Sequence, residues 1–310
     1  MKILITGATG FIGRNLSKRL VDEGHDVVCC GRSFGKLGRL LNRVKTAYIR
    51  LEDKNTILET LEREKPEVLY HCAALVESSN LDRLRRANVE GTRAVFDACI
   101  AGGVKKIIYL SSVAVITGNN EVPLKEDLPY SATNPYGQSK LEAELLAIEY
   151  RRKGLKIAIL RPCMVYGEGE PHGLPYLVKA LKKRLFPVFG KGDNKTHLVS
   201  VENVVDVMVL CLAREEAYEG AYFIADKDIL TMKELLDYIA DILEIKRPFV
   251  IPDTIVRILI KLPVMGRKIA LFLKERVYSI ERLRERLGYV PRVSVHEGLR
   301  RAVASFKDRR

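Results

Sequence analysis

No two cysteines of this 310-residue chain stand at CxxC spacing, and there is no paired Cys/His cluster. The six present (Cys29, Cys30, Cys72, Cys99, Cys163 and Cys211) lie mostly in apolar runs, which argues against a metal site or a disulfide framework and predicts buried free thiols in a reducing compartment. Low-complexity tracts and fixed-period repeats are also missing, so disorder is expected only at the last few residues. The N-terminus has no secretory signal and opens directly on the apolar run Met1–Ile5, so a cytoplasmic protein is expected. The most apolar stretch, 255–273, is interrupted by Arg257, Lys261, Arg267 and Lys268 and broken by Pro263, which excludes a standard membrane span. It reads as two short amphipathic helices over a substrate pocket, with contact to a membrane surface or a partner as the alternative.

Charge is plentiful but dispersed. Lysine and arginine exceed the acids to give a net +13, in scattered groups such as Arg83–Arg85–Arg86 and Lys182–Lys183–Arg184, which read as solvated helix faces. With no recognisable nucleic-acid module and no aromatics interleaved with the charge, a nucleic-acid partner is not expected, and part of the surplus suits an anionic cofactor.

Short β-branched runs alternate with helical patterns through the first half. Strands are predicted at Lys2–Ile5, Asp26–Cys30, Thr46–Arg50, Val68–His71, Lys106–Leu110 and Lys156–Leu160, and helices at Phe11–Glu23, Asn88–Ala101 and Tyr136–Lys153, each closed by glycine. Such alternation predicts an α/β fold, a Rossmann-type doubly wound parallel sheet. Residues 1–165, joined by 195–225, form the expected nucleotide-binding domain. Residues 166–194 and 226–310 form a smaller C-terminal α/β substrate-binding lobe, with helices at Tyr176–Lys183, Val201–Ala213 and Thr231–Leu243 along this second half.

Thr6-Gly7-Ala8-Thr9-Gly10-Phe11-Ile12-Gly13 follows the first strand and opens the first helix. Glycine at every third position there allows a tight turn (Gly7), close approach of a pyrophosphate (Gly10) and packing of helix on strand (Gly13), while the helix start supplies amide donors. Gly7, Thr9, Gly10, Phe11, Ile12 and Gly13 are therefore the expected dinucleotide cradle. An acid that would bind the ribose of NAD is missing after the second strand, where Cys30-Gly31-Arg32-Ser33 stands instead. Arg32, with Lys36 and Arg39 close behind, favours NADP over NAD; the alternative is that Arg32 stacks on adenine or faces solvent.

Asn134-Pro135-Tyr136 reads as a helix start, which puts Tyr136 and Lys140 one turn apart on one face. An ammonium beside a phenol lowers its pKa, as exchange of a proton with an alcohol or carbonyl requires. Ser111-Ser112 closes the strand Lys106–Leu110 at the ligand-binding edge of such a sheet, where a hydroxyl can hold a substrate oxygen. His71 ends a buried strand and reads as packed core; His197, in a loop, is a candidate to touch substrate. Neither belongs to a Ser-His-Asp pattern or a metal-ligand spacing.

With TGATGFIG, HCAA (71–74), Asn88-Val-Glu-Gly-Thr92, YLSS (109–112), YGQSK (136–140), LRPCMVYG (160–167), LVSVENVV (198–205) and the closing LGYVPRVSVHEGL (287–299) in order, nearly the whole chain resembles the extended short-chain dehydrogenase/reductase superfamily, in its NAD-dependent epimerase/dehydratase group. The resemblance implies Ser112 as the substrate-polarising hydroxyl with Ser111 as fallback, Tyr136 as acid/base, and Lys140 as pKa-lowering neighbour and ribose ligand. It also implies Ala73 against the cofactor, Asn88 and Thr92 in support of the adjacent helix, and a homodimer through the helices bearing Asn88 and Tyr136. The chain departs from sugar-nucleotide enzymes at Met164, where an asparagine is usual, and at Thr196, where an arginine is usual, leaving Lys195 as the nearby charge. Gly190-Lys-Gly-Asp-Asn-Lys195 is similar instead to hydroxysteroid dehydrogenase and dihydroflavonol reductase relatives, whose substrates are more apolar. Two substrate classes stay open: a ketone or secondary alcohol, and a sugar nucleotide acted on by an epimerase or dehydratase. A non-catalytic nucleotide sensor or structural subunit is disfavoured by the intact Ser112, Tyr136 and Lys140.

Overall fold

Apolar runs become strands, and the amphipathic stretches between them helices, in the computed structural model, which describes residues 1–76, 78–263 and 265–307. The chain runs β1 (Lys2–Thr6), α1 (Phe11–Asp22), β2 (Asp26–Gly31), β3 (Lys45–Tyr48), α2 (Lys54–Glu64), β4 (Val68–His71), α3 (Leu81–Arg85), α4 (Gly91–Ala101), β5 (Lys106–Leu110), α5 (Pro135–Arg152) and β6 (Lys156–Pro162). It continues through β7 (Met164–Tyr166), α6 (Gly173–Lys182), β8 (Val188–Phe189), β9 (Lys195–Thr196), β10 (Leu198–Ser200), α7 (Val201–Leu210) and β11 (Ala221–Ile224). The last elements are β12 (Leu230–Thr231), α8 (Met232–Leu243), β13 (Val250–Ile251), α9 (Asp253–Leu259), α10 (Met265–Leu273), α11 (Glu281–Leu287) and α12 (Val295–Ala304).

Seven parallel strands form the main sheet in the order β11-β6-β5-β4-β1-β2-β3. The chain reverses direction across the sheet between β1 and β4, which opens a crevice at their carboxyl ends. Alternation along each strand divides the core in two. Ile3, Ile5, Val27 and Cys29 pack under α1, α7 and α11, while Leu4, Val28 and Cys30 pack under α2, α4 and α5. Each fully buried leucine or isoleucine contributes about 1.5–3 kcal/mol, so a sheet covered on both faces outweighs the weak local preference of its short strands. All six cysteines are free thiols, five of them buried and Cys72 partly exposed.

A third apolar cluster joins α6, α8 and α12 through Val178, Leu181, Leu236, Ile239, Leu299 and Val303. Around it the strands are only two or three residues long and pair in twos.

Several boundaries differ from the sequence reading, three of them as follows. The helix expected from Asn88 already begins at Leu81, because Asn80 caps it by accepting from the amide of Arg83 at 2.9 Å; it passes into α4 through a wider turn at Arg86–Glu90. The helix expected from Tyr176 starts at Gly173, since the Glu170 carboxylate accepts from the amides of His172, Gly173 and Leu174 and leaves Pro175 in the first turn. The strand expected at Thr46–Arg50 is Lys45–Tyr48, so Arg50 falls in the loop beyond it.

The stretch 255–273 contributes two short helices, α9 and α10. Val256 and Ile269 are buried in them, while Ile255, Ile258, Ile260, Leu262 and Phe272 are exposed. Val264 and the side chains of Arg267 and Lys268 lie outside the described residues, as do residues 308–310, where disorder was expected. No helix among the described residues is long and apolar enough to cross a membrane.

Candidate active site

The glycine turn is held by its own backbone. Gly10 donates its amide to the Gly7 carbonyl at 2.9 Å, and Gly7 adopts φ +71°, open to glycine at little cost. A Cβ on Gly7 would lie 2.6 Å from the backbone nitrogen of Ala73, and one on Gly13 would lie 2.3 Å from the Gly7 carbonyl oxygen. Turn, helix start and β4 end are thus packed backbone to backbone. The first main-chain bond of the helix runs from Arg14 to Gly10, and Gly10 offers no side chain as a cap. The amides of Phe11, Ile12 and Gly13 therefore keep their capacity for an anion.

Beside the turn lies a cleft of about 750 Å³ lined by Gly7, Thr9, Gly10, Arg32 and Ala73, all expected there, together with Gly31 and Lys36. Phe11 and Ile12 pack into the core instead and reach the turn only through their main chain. Arg50, Arg83 and Arg86 also line the cleft. No side chain among Arg32, Lys36, Arg50, Arg83 and Arg86 forms a hydrogen bond or ion pair with the described residues, and the one acid in the lining is Glu52. Sequence reasoning missed Arg50, Arg83 and Arg86. The run 83–86 is exposed at its arginines, as expected of a solvated face, with Arg85 paired to Glu142 on α5 at 2.7 Å, while Arg83 and Arg86 also border the cleft. Arg50 carried a usable signal, its place just beyond the carboxyl end of a strand. A volume of this size, a glycine cradle with unspent amides and five unpaired cations fit a dinucleotide. Tyr136 and Lys140 lie outside this lining, at the end of β5.

Ser112 and Tyr136 meet there. Asn134 caps α5 by accepting from the Gly137 amide at 2.8 Å, which sets the first turn of the helix. Gly137 fits tightly against the Ala114 carbonyl beyond Ser112. Burial pushes the Tyr136 phenol up to about 12, while a hydrogen bond with Ser112 favours its ionised form. Lys140 is 1% exposed and donates to the Leu110 carbonyl at 2.8 Å, 4.4 Å above the Tyr109 ring. Burial brings its ammonium down to about 7, opposed by the negative charge of Glu144 and then by Cys72. The Lys140 ammonium is held at the Leu110 carbonyl, and a hydrogen bond from Ser112 favours the phenolate of Tyr136.

Ser111 points away from Ser112. Its hydroxyl donates to Glu144 at 2.5 Å in the interior, which removes it as a fallback for holding substrate. His71 is core, bonded to Thr6 at 2.7 Å and Thr92 at 2.9 Å, and burial lowers it to about 3. Asn88 links Leu75 to Ser139 on α5. His197 is a correction. It is 4% exposed, with one ring nitrogen at the Asp226 carbonyl (2.7 Å) and the other at the Tyr278 amide (3.2 Å), so it braces main chain and has no nitrogen left for substrate. Met164 (59% exposed) and Lys195 lie at the surface. Just beyond α10, Lys274 donates to the Thr117 carbonyl at 2.7 Å, in the loop that follows Ser112.

Comparison with known proteins gives the family. The model of the NAD dependent epimerase/dehydratase family matches residues 3–225. The 2-alkyl-3-oxoalkanoate reductase of Stenotrophomonas maltophilia (strain K279a) is 30% identical over 98% of this chain and 99% of its own. The UDP-glucose 4-epimerase of Vibrio cholerae is 27% identical over 98% of this chain and 95% of its own. Among solved structures, the UDP-glucose 4-epimerase of Thermotoga maritima with UDP-glucose covers 100% of this chain and 99% of its own, with a TM-score of 0.82 at 24% identity, a likeness of fold.

Proposed function

The chain belongs to the NAD-dependent epimerase/dehydratase family and is an enzyme of the extended short-chain dehydrogenase type, and on that premise we propose that it interconverts a ketone and a secondary alcohol whose surroundings are apolar. The observation that carries this reading is the meeting of Ser112 and Tyr136 beside a segment pinned just beyond α10, with its neighbouring apolar residues. A nicotinamide cofactor supplies or accepts the hydride at the carbon that bears the oxygen. Tyr136 exchanges the proton at that oxygen, and Ser112 holds the oxygen by a hydrogen bond. Lys140 keeps a positive charge behind the phenol and offers a ligand to the cofactor ribose. The turn from Gly7 to Gly13 receives the pyrophosphate.

Residues 166–194 and 226–310 are assigned as the substrate lobe, with Met164 and Lys195 at its mouth. Exposed Ile100 and Leu145, on α4 and α5, support a homodimer through those helices. Arg32, Lys36 and Arg50 around one cleft support NADP: a charge-assisted bond of roughly 1.5–3 kcal/mol corresponds to about a ten- to hundredfold preference. The second reading, a sugar-nucleotide epimerase or dehydratase, is favoured by one observation: Lys195 is exposed and free to meet a phosphate.

One set of assays separates them. With a long-chain alkyl β-ketoester as probe, the wild-type enzyme should oxidise NADPH in preference to NADH, and Tyr136→Phe should lose about a hundred- to ten-thousandfold in turnover while still binding cofactor. Tightly retained nucleotide in the purified protein, with thermal stabilisation by a UDP-sugar and no turnover of the ketoester, would replace the first reading by the second.

A further inference from the structure

Residues 111 and 112 follow one another on a strand end and point opposite ways. Ser112 serves the open side, while the Ser111 hydroxyl donates inward to Glu144, and the Ser111 amide bonds the Leu160 carbonyl at 2.7 Å. Glu144 lies one helical turn beyond Lys140 on the buried face of α5, fully enclosed at 0% exposure. Its carboxylate also accepts from Tyr130 at 2.8 Å and from the Arg161 guanidinium, whose Nε lies 3.1 and 3.2 Å from the two oxygens. Arg161 belongs to β6 and donates onward to the Glu126 carbonyl at 3.2 Å. One carboxylate therefore ties together β5, α5, β6 and the loop between Ser112 and Asn134.

We propose that Glu144 is a positioning residue for the Ser112–Tyr136–Lys140 group: its buried carboxylate keeps Lys140 charged and fixes the strand end from which Ser112 projects. The inference rests on the catalytic reading above.

The surroundings of Lys140 single Glu144 out. Facing the ammonium are Glu144 on α5, Tyr109 on β5, and His71 and Cys72 at the end of β4, with Tyr136 near Tyr109. Burial raises both phenols and lifts the Cys72 thiol to about 12, and it keeps His71 neutral by lowering it to about 3. Near neutral pH these four are uncharged, which leaves the Glu144 carboxylate as the charge that holds the ammonium. Arg161 on β6, Tyr130 in the loop and the more distant Arg151 on α5 face Glu144 itself. A buried ion pair is seldom better for stability than apolar side chains of the same volume. A packing role alone would not call for a carboxylate here.

The test follows the titration of Lys140 in the full-length protein by ¹³C and ¹⁵N NMR of labelled lysine, assigned through Lys140→Arg. Glu144→Gln removes the negative charge and should move that titration down by roughly one pH unit or more; Arg161→Met leaves the carboxylate uncompensated and should move it up. A salt bridge whose carboxylate does not act on the ammonium has no reason to give opposite signs. Displacement of both variants in the same direction, or of neither, overturns the proposal. If a stranded charge prevents folding of a single variant, the double variant Glu144→Gln/Arg161→Met buries neither charge. Its Lys140 should still titrate below the wild type, and an unchanged value is equally fatal. The titration needs no substrate, so its outcome is separate from that of Tyr136→Phe, which tests the catalytic reading.

Discussion

The main sheet and the lobe around α6, α8 and α12 are built on different principles. In the sheet the main chain pairs with itself over strands of four to seven residues, and side chains only fill the two faces. In the lobe many strands have two residues, and where it meets α7 buried side chains satisfy the main chain and one another instead. Asp226 accepts from the Ser200 amide at 2.9 Å, Asn203 at 2.7 Å and the Tyr166 hydroxyl at 2.8 Å. Asn203 in turn accepts from the amides of Arg292 and Val293, each at 3.1 Å. A repeating ladder spreads its stability over many similar residues, whereas the lobe concentrates it in a few.

The largest effect is expected where the sheet region has no slack. Gly13→Val drives a side chain into the Gly7 carbonyl, 2.3 Å from where a Cβ must sit. Overpacking of backbone against backbone at about 3 kcal/mol or more corresponds to a hundredfold or greater loss of NADPH affinity, read by fluorescence titration. Affinity within a factor of a few of wild type would mean that the turn yields easily, and the contrast between regions would weaken.

Asp226 comes next. Asp226→Ala strips the acceptor from three donors at once and should cost roughly 3 kcal/mol in urea unfolding. Its pH signature is separate. Burial holds the carboxyl up at about 6, so the folded protein binds this proton more tightly than the unfolded chain does. The stability it contributes is full below the ordinary aspartate value of about 4 and is lost as pH rises through about 6. Asp226→Asn should flatten that part of the pH profile, and an unchanged slope would assign it to other groups.

The smallest effect belongs to the exposed face of the lobe. Ile258 is 66% exposed, so Ile258→Ser should alter stability by no more than about 0.5 kcal/mol by thermal unfolding. A rise in KM for the ketoester without a change in kcat would sharpen the assignment of α9 and α10 as a cover for an apolar substrate.

The same contrast governs how much could be read from the sequence. Strands β4 and β5 fall on their expected residues, and the glycine turn stands where expected, because alternation and spacing leave periodic traces. Strand β11, the seventh of the sheet, is four residues long and gave no such trace. The helix at Gly173 began early because one glutamate three positions upstream gathers its first amides, a pairing that spacing does not reveal. His197 looked available in a loop; its two bonds run to Asp226 and Tyr278, 29 and 81 residues away. Arg83 and Arg86 are exposed, as expected, but only the fold shows that they border the cleft at the β4 end. What sequence patterns miss here is the single side chain that answers a distant main-chain group.

The return of the chain to the main sheet has a consequence for recombination. After leaving β6 at Pro162 the polypeptide crosses into the lobe, comes back to lay β11 beside β6 at Ala221–Ile224, and departs again through Asp226. A single crossover therefore cannot transplant a complete lobe from one relative to another. A chimera exchanged only after Pro162 takes its seventh strand from the donor and must match β6 in register, Ile159 to Ala221 through Pro162 to Ile224. Grafting new specificity onto this scaffold calls for three junctions, with the recipient's own β11 kept between the two donor segments.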